Sequence, residues 1–205
     1  MKQIKEYEYV DLGLPSGTLW ANMNLGAASE TDYGDYFMRG STTPNNDTPC
    51  DWNHAPFNNG SNDYDDEYFN THKSEWLDGK NNLKPEYDAA RANMGGNWRM
   101  PTEAEIQELM NNTYNEWIEN FNGSGVNGRK FTSKTDKSKY IFIPASGVRS
   151  FSSFYFQGSD GYVWSSSLNY DYPGSASFLN FGSGNLMGIL YISRPRGLAV
   201  RGVMD

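Results

Sequence analysis

At 205 residues with a single cysteine, Cys50, the chain suits one ordinary domain that buries about 70 % of its unfolded surface and has no internal disulfide. Acidic residues outnumber basic ones by 25 to 17, and the net charge of −8 repels phosphate backbones and anionic lipid, so nucleic acid is not an expected partner. No stretch approaches the length of a membrane span, so no membrane insertion is expected, and the charged start around Lys2, Lys5 and Glu6 lacks the apolar run of a signal peptide.

Residues 7–12 and 18–25 mix β-branched and aromatic side chains and flank a Gly13-Leu-Pro-Ser-Gly17 turn, which predicts a hairpin. Residues 42–84 are rich in Asn, Asp, Gly and Pro without a sustained period, so a long loop region is expected, ordered by aromatics such as Trp52, Phe57, Tyr64, Tyr68, Phe69 and Trp76. Cys50 and His54 lie four apart within it and, with His72, could suggest a thiol–base pair or a partial metal site. A third orienting group or a fourth ligand is missing, so incidental loop residues are the simpler reading.

Asp63, Asp65, Asp66 and Glu67 cluster oxygen ligands of the kind calcium takes. An EF-hand loop is excluded, because its sixth position would be Tyr68 where glycine is needed, and its twelfth Ser74 where glutamate is needed. A solvated acidic loop is the plainer account, and no cofactor or metal is assigned.

Helical signals concentrate in the middle of the chain. Residues 85–94 read as a helix stopped by Gly95 and Gly96, and Thr102 with Glu105 forms a capping-box pattern that opens a second helix striped by Ile106, Leu109 and Met110. Glu103, Glu105 and Glu108 then serve the helix dipole rather than acid–base chemistry. The string from Gly123 to Gly128 matches a dinucleotide fingerprint only as letters, since no strand precedes it and Arg129, Lys130 and Phe131 follow in strand-like sequence. Short strands are predicted near 130–135, 140–145, 162–167, 176–181, 188–192 and 198–203. Strands at both ends around central helices predict an α+β fold with its terminal strands paired.

Trp20, Trp98 and Trp164 sit in apolar, strand-like sequence and are expected in the core. Tyr170, Tyr172, Phe178 and Tyr191 lie instead among Gly, Ser and Asn, the mixture that supplies rigid aromatic contact and adaptable hydrogen bonding. Together with Ser175, Ser177, Gly188 and Leu190 they alternate with Ala176, Leu179, Phe181 and Ile189, and are expected to face outward as ligand-contacting residues.

The motifs YVDLGLPSGTLWA at 9–21, YGDYF at 33–37, DAA at 88–90, GGNWRMPT at 95–102, IPASG at 143–147 and WSSS at 164–167 resemble a large paralogous family of gut-bacterial surface proteins. That family is similar to the formylglycine-generating-enzyme branch of the C-type lectin fold, which also holds the variable proteins of diversity-generating retroelements. The resemblance implies one C-type-lectin-like domain over residues 1–205, with a twisted, mostly antiparallel sheet, two central helices and long ordered loops. It also implies an extracellular, cell-surface or virion location. The enzyme branch uses a cysteine pair with copper; Cys50 stands alone here, so catalysis is not carried over. The chain also departs from the family at Met38-Arg-Gly-Ser41, where many relatives carry an aromatic and an acid.

Retroelement mutagenesis acts at adenines, mainly in Asn codons whose third base is a pyrimidine, and Lys, Glu, Gln, Trp and Met cannot be reached that way. Residues 165–193 contain none of the first four, and Met187 should then be a fixed position. The expected function is non-enzymatic: a receptor- or adhesin-type protein displaying residues 165–193, with a protein ligand first and a glycan second. The alternatives are an enzyme of the formylglycine-generating type, a glycan-processing relative, or a structural surface domain.

Overall fold

The computed structural model describes residues 7–169 and 171–205. The fold is α+β with mostly antiparallel strands. Strands β1 (Tyr9–Val10) and β2 (Leu19–Ala21) form the predicted hairpin, with Val10 opposite Trp20. Strand β11 (Val203–Met204) pairs with the other edge of β2, placing Val203 opposite Trp20, so the two ends of the chain share one small sheet. The expected strand at 198–203 is mostly a set of isolated bridges, Phe37 to Leu198 and Val163 to Ala199 among them, and becomes a ladder only at its end.

The stretch read as loop at 42–84 contains a helix, α1 (Asp66–Trp76), which corrects the expectation of two central helices. Asp65 caps it by accepting from the Tyr68 N–H, while Asp66 and Glu67 occupy the first turn, where the helix dipole favours negative charge. The acidic cluster is thus the start of a helix. Phe69 and Trp76, seven apart, bury one stripe, and Tyr68, His72 and Trp76 stack in succession along the same side. Asn, Thr, His and Ser within the helix have weak propensity, so packing of this aromatic stripe holds it.

Residues 85–94 form a short 3-10 turn (Pro85–Tyr87) and then α2 (Ala89–Met94), which ends at Gly95 at φ 73°. The predicted capping box opens α3 (Glu103–Asn112): Thr102 Oγ1 accepts from the Glu105 N–H, and Glu105 accepts from the Thr102 N–H. Ile106 and Leu109 are fully buried beneath it. Thr113 Oγ1 then donates to the Leu109 carbonyl at 2.7 Å, and the chain passes directly into β3 (Thr113–Ile118), a strand the sequence pattern did not indicate.

Strand β3 pairs with β4 (Gly128–Ser133), and β4 with β5 (Tyr140–Pro144). The glycine-rich string lies in the β3–β4 connection, where Gly123 and Gly125 take positive φ as turn residues. A two-residue turn joins β6 (Val148–Ser150) to β7 (Ser153–Tyr155). Strands β8 (Asp160–Leu168), β9 (Ser175–Gly182) and β10 (Met187–Ser193) form the remaining sheet in the order β10-β9-β8.

The core lies on both sides of this last sheet. One side carries Trp164, Ala176 and Phe178 into a cluster with Phe37, Phe69 and Trp76; the other carries Val163, Leu179 and Phe181 against Ile106, Phe131 and Ile143. Trp20, Trp98 and Trp164 are all buried, as expected. Trp164 also donates its indole N–H to the Phe37 carbonyl at 2.7 Å.

The loops are held by a second device that the composition did not suggest. Arg39, Arg129, Arg149, Arg194 and Arg201 are buried, and among the described residues none lies within ion-pair distance of a carboxylate. Their guanidinium forks donate mainly to backbone carbonyls instead. Arg39 reaches Ser165 and Ser166, Arg201 reaches Ala21 and Phe142, and Arg149 reaches Asn45 and Thr48. A rigid fork with five donors suits irregular backbone, whose carbonyls lack a ladder partner. Burial, with the charge of Arg194 nearby, pushes the Arg39 guanidinium down to about 9, and burial pushes Arg201 to about 9, so both stay charged at neutral pH.

Candidate functional site

The display segment divides according to its place in the sheet. Tyr172 on the β8–β9 connection is 70 % exposed, and Leu190 and Tyr191 on the edge strand β10 are about half exposed. Ser175 and Gly188 are half-buried, and a Cβ on Gly188 would meet no atom within 4 Å, so that position opens to solvent. Tyr170 lies outside the described residues.

Ser177 and Phe178 were expected to face outward and do not: Ser177 is fully buried and Phe178 is 3 % exposed. Strand β9 is the middle strand, with core on both faces, so alternation along it moves a side chain from one interior to another. Ser177 shares its hydroxyl with Ser165, and the Phe178 ring stacks on Tyr162 at 5.1 Å between centroids.

The remaining positions do not share one face either. Leu190 stands opposite Phe178 and Gly188 opposite Asn180, which puts both on the Trp164 side of the sheet. Tyr191, opposite Ser177, faces α3, its hydroxyl 3.5 Å from Glu103 Oε1. Burial raises the Tyr191 phenol, and the Glu103 carboxylate adds to the effect.

What the fold does assemble, and the sequence reading missed, is a set of exposed aromatics on one hairpin, of which Phe156 reaches the Trp164 side of the sheet. Phe151, Phe154, Tyr155 and Phe156 of the β6–β7 hairpin and its exit are 63 %, 45 %, 50 % and 56 % exposed. Phe156 stacks on Tyr162 at 6.3 Å and Tyr162 on Phe178, a ladder from solvent to core. Tyr155, Phe156, Tyr162, Val148 and Ile192 wall a cleft of about 370 Å³ that ends at Arg196. Ile192 ties this cleft to strand β10 of the expected display segment.

Phe151 and Phe156 hold positive φ, 51° and 62°. Phe151 is the first residue of the two-residue hairpin connection, a position where glycine is the usual solution. Its own backbone bonds with Cys50 fix it there: Cys50 N–H to Phe151 O at 2.9 Å and Phe151 N–H to Cys50 O at 3.1 Å. The signal for this set was present in the chain as FSSFYF at 151–156, aromatics among serines with no charge. The same criterion that selected Tyr170 to Tyr191 would have found it.

The other candidates separate. Cys50 is buried, its sulfur 3.3 Å from Arg149 Nη1; burial pushes the thiol up, although the arginine opposes it. His54 Nδ1 sits 2.6 Å from Asp51 Oδ1, so Cys50 and His54 each have other partners. Among the described residues no three His, Cys, Asp or Glu side chains come together to hold a metal ion. Arg39, in the segment that departs from the resembled family, is a buried support beneath β8.

No protein-family model matches the chain, and no curated protein or solved structure is significantly similar to it.

Proposed function

We propose that this chain is a non-enzymatic ligand-binding protein of receptor or adhesin type, built on a C-type-lectin-like scaffold and acting outside the cell or on a virion. The observation that carries the reading is the set of exposed aromatics on the β6–β7 hairpin, Phe151, Phe154, Tyr155 and Phe156, of which Tyr155 and Phe156 wall one cleft and Phe151 another. Isolated surface aromatics need no explanation, whereas four exposed rings within residues 151–156 on a rigid support mark recognition. The support is rigid because Arg149 and Arg39 tie the neighbouring loops and strand β8 together.

Diversification by a retroelement suits Tyr172, Leu190 and Tyr191, whose side chains are open to solvent, better than Ser177 or Phe178. Met187 packs against the core, as a fixed position should. A protein is the favoured ligand and a glycan the second, because phenylalanine faces offer contact area without hydrogen-bonding handles.

The test is binding of the purified chain to an arrayed panel of extracellular proteins and glycans, repeated with F151S/F154S/F156S and with Y172A/L190A/Y191A. The expected result is a ligand whose binding falls at least about tenfold with the first triple variant at unchanged melting temperature. Binding that neither triple variant alters would place recognition elsewhere and overturn the reading.

A further inference from the structure

Arg196 lines two clefts at once. On one side is the cleft of Val148, Ser150, Tyr155, Phe156, Tyr162 and Ile192; on the other is a cleft of about 320 Å³ walled by Trp52 and Phe151 and edged by Asp51, Asn53 and Asn62. Strand β10 runs between them, giving Ile192 to the first and Ser193 to the second. The backbone N–H of Arg196 is used by the Ser193 carbonyl at 3.1 Å. Among the described residues its guanidinium has no hydrogen bond, ion pair or ring contact. The contrast with Arg39, Arg149, Arg194 and Arg201, all spent on carbonyls or side-chain oxygens within the fold, is complete.

An unpaired, half-buried guanidinium between two clefts is locally complementary to an anionic group brought by a ligand, against the net charge of −8 of the chain as a whole. The two clefts differ in what they can flank it with. The first cleft joins the aliphatic and ring walls of Val148, Phe156 and Ile192, which accept an apolar side chain, to the polar groups of Ser150 and Arg196. In the Trp52 cleft Asp51 repels a second anion and, with the asparagine side chains, favours a hydrogen-bond donor over an aromatic floor.

We infer that Arg196 and its flanking clefts form a subsite for an acidic peptide segment, with the Asp or Glu carboxylate on Arg196. An apolar side chain of that segment occupies the Val148–Ile192 cleft, and a donor-bearing side chain occupies the Trp52 cleft. This inference rests on the recognition reading above and specifies its ligand. Carboxylate and guanidinium can pair through two parallel hydrogen bonds, which fixes the segment's register across the strand.

The test is selection from a random peptide library displayed on phage, using the full chain and its R196Q, R196K and F156S variants, with a glycan array in parallel. Melting temperatures establish that each variant is folded. The wild-type chain is expected to enrich peptides carrying an acidic residue next to an apolar one. R196K should keep the acidic preference and R196Q should lose it, with at least about tenfold weaker binding of the enriched peptides. F156S should lose the apolar preference and keep the acidic one. Enriched peptides without an acidic residue, or the same enrichment with R196Q, would overturn the inference and leave the recognition reading standing. Glycan binding without peptide enrichment would overturn the peptide as occupant. Failure to bind either library would overturn the peptide subsite, while the recognition reading stands or falls on the panel of extracellular proteins and glycans.

Discussion

Strands β9 and β10 lie side by side, both short runs of serine, glycine and apolar residues, and they meet opposite environments. β9 is buried from Ala176 to Gly182, whereas β10 exposes Leu190 and Tyr191. The difference is position: β9 has a strand on each edge and core on each face, while β10 has a free edge. Composition therefore indicates neither display nor burial in this segment. A side chain on the middle strand has no solvent direction available to it, whichever way it alternates.

The largest effect that could break this contrast is at Phe178. Phe178→Ala and Trp164→Ala should each cost about 3–5 kcal/mol in denaturant unfolding, because both leave a cavity in the same cluster. A loss below about 1 kcal/mol at Phe178 would mean that β9 is open to solvent after all.

Ser177→Ala should cost about 1 kcal/mol by the same measurement, since Ser165 loses a buried partner but keeps the Ser177 carbonyl at 3.0 Å. A neutral result would show the hydroxyl pair to be dispensable.

The α3 cap, in the helix turn that Tyr191 faces, sharpens the contrast through pH. Burial alone would raise the Glu105 carboxyl, but hydrogen bonds from Arg99 and Thr102 outweigh it and hold the group below its ordinary value of 4.5. Its stabilising contribution is then full above pH 4.5 and is lost as pH falls through the lower folded-state value. Glu105→Gln should flatten that part of the stability–pH curve by about 1 kcal/mol. An unchanged acid limb would assign acid sensitivity to other groups.

On the exposed side, Tyr172→Ala, Leu190→Ala and Tyr191→Ala should each move stability by no more than about 0.5 kcal/mol. A cost above about 2 kcal/mol at any of them would make that residue part of the core. Phe151→Gly should be smallest and opposite in sign, a gain of up to about 0.5 kcal/mol. Relief of positive φ there slightly exceeds the added backbone entropy of glycine. Ligand binding should nevertheless fall, because the ring on the rim of the Trp52 cleft is gone.

Local chemistry was legible in the sequence wherever neighbouring residues decide the outcome. The turn from Gly13 to Gly17, the Thr102–Glu105 cap, the glycine stop after α2 and the β4, β5, β8, β9 and β10 strands all follow from spacing and side-chain type. The buried tryptophans follow from their apolar surroundings. Helix α1 was not legible, because its sequence has weak intrinsic propensity and its aromatic stripe counts only once Phe57, Tyr64 and Phe178 are in place around it. The buried arginines were equally silent, since an arginine that serves distant carbonyls looks in sequence like any surface charge.

The amino-acid sequence thus determined where the chain turns, caps and alternates, and which large side chains leave water. Only the tertiary structure decided that β9 is interior, that Tyr191 and Leu190 point to opposite sides, and that FSSFYF meets Arg196 and Ile192 across two clefts. The reason is physical: periodicity fixes a side chain's direction relative to its own strand, while exposure depends on what other elements, distant in sequence, bring to each face.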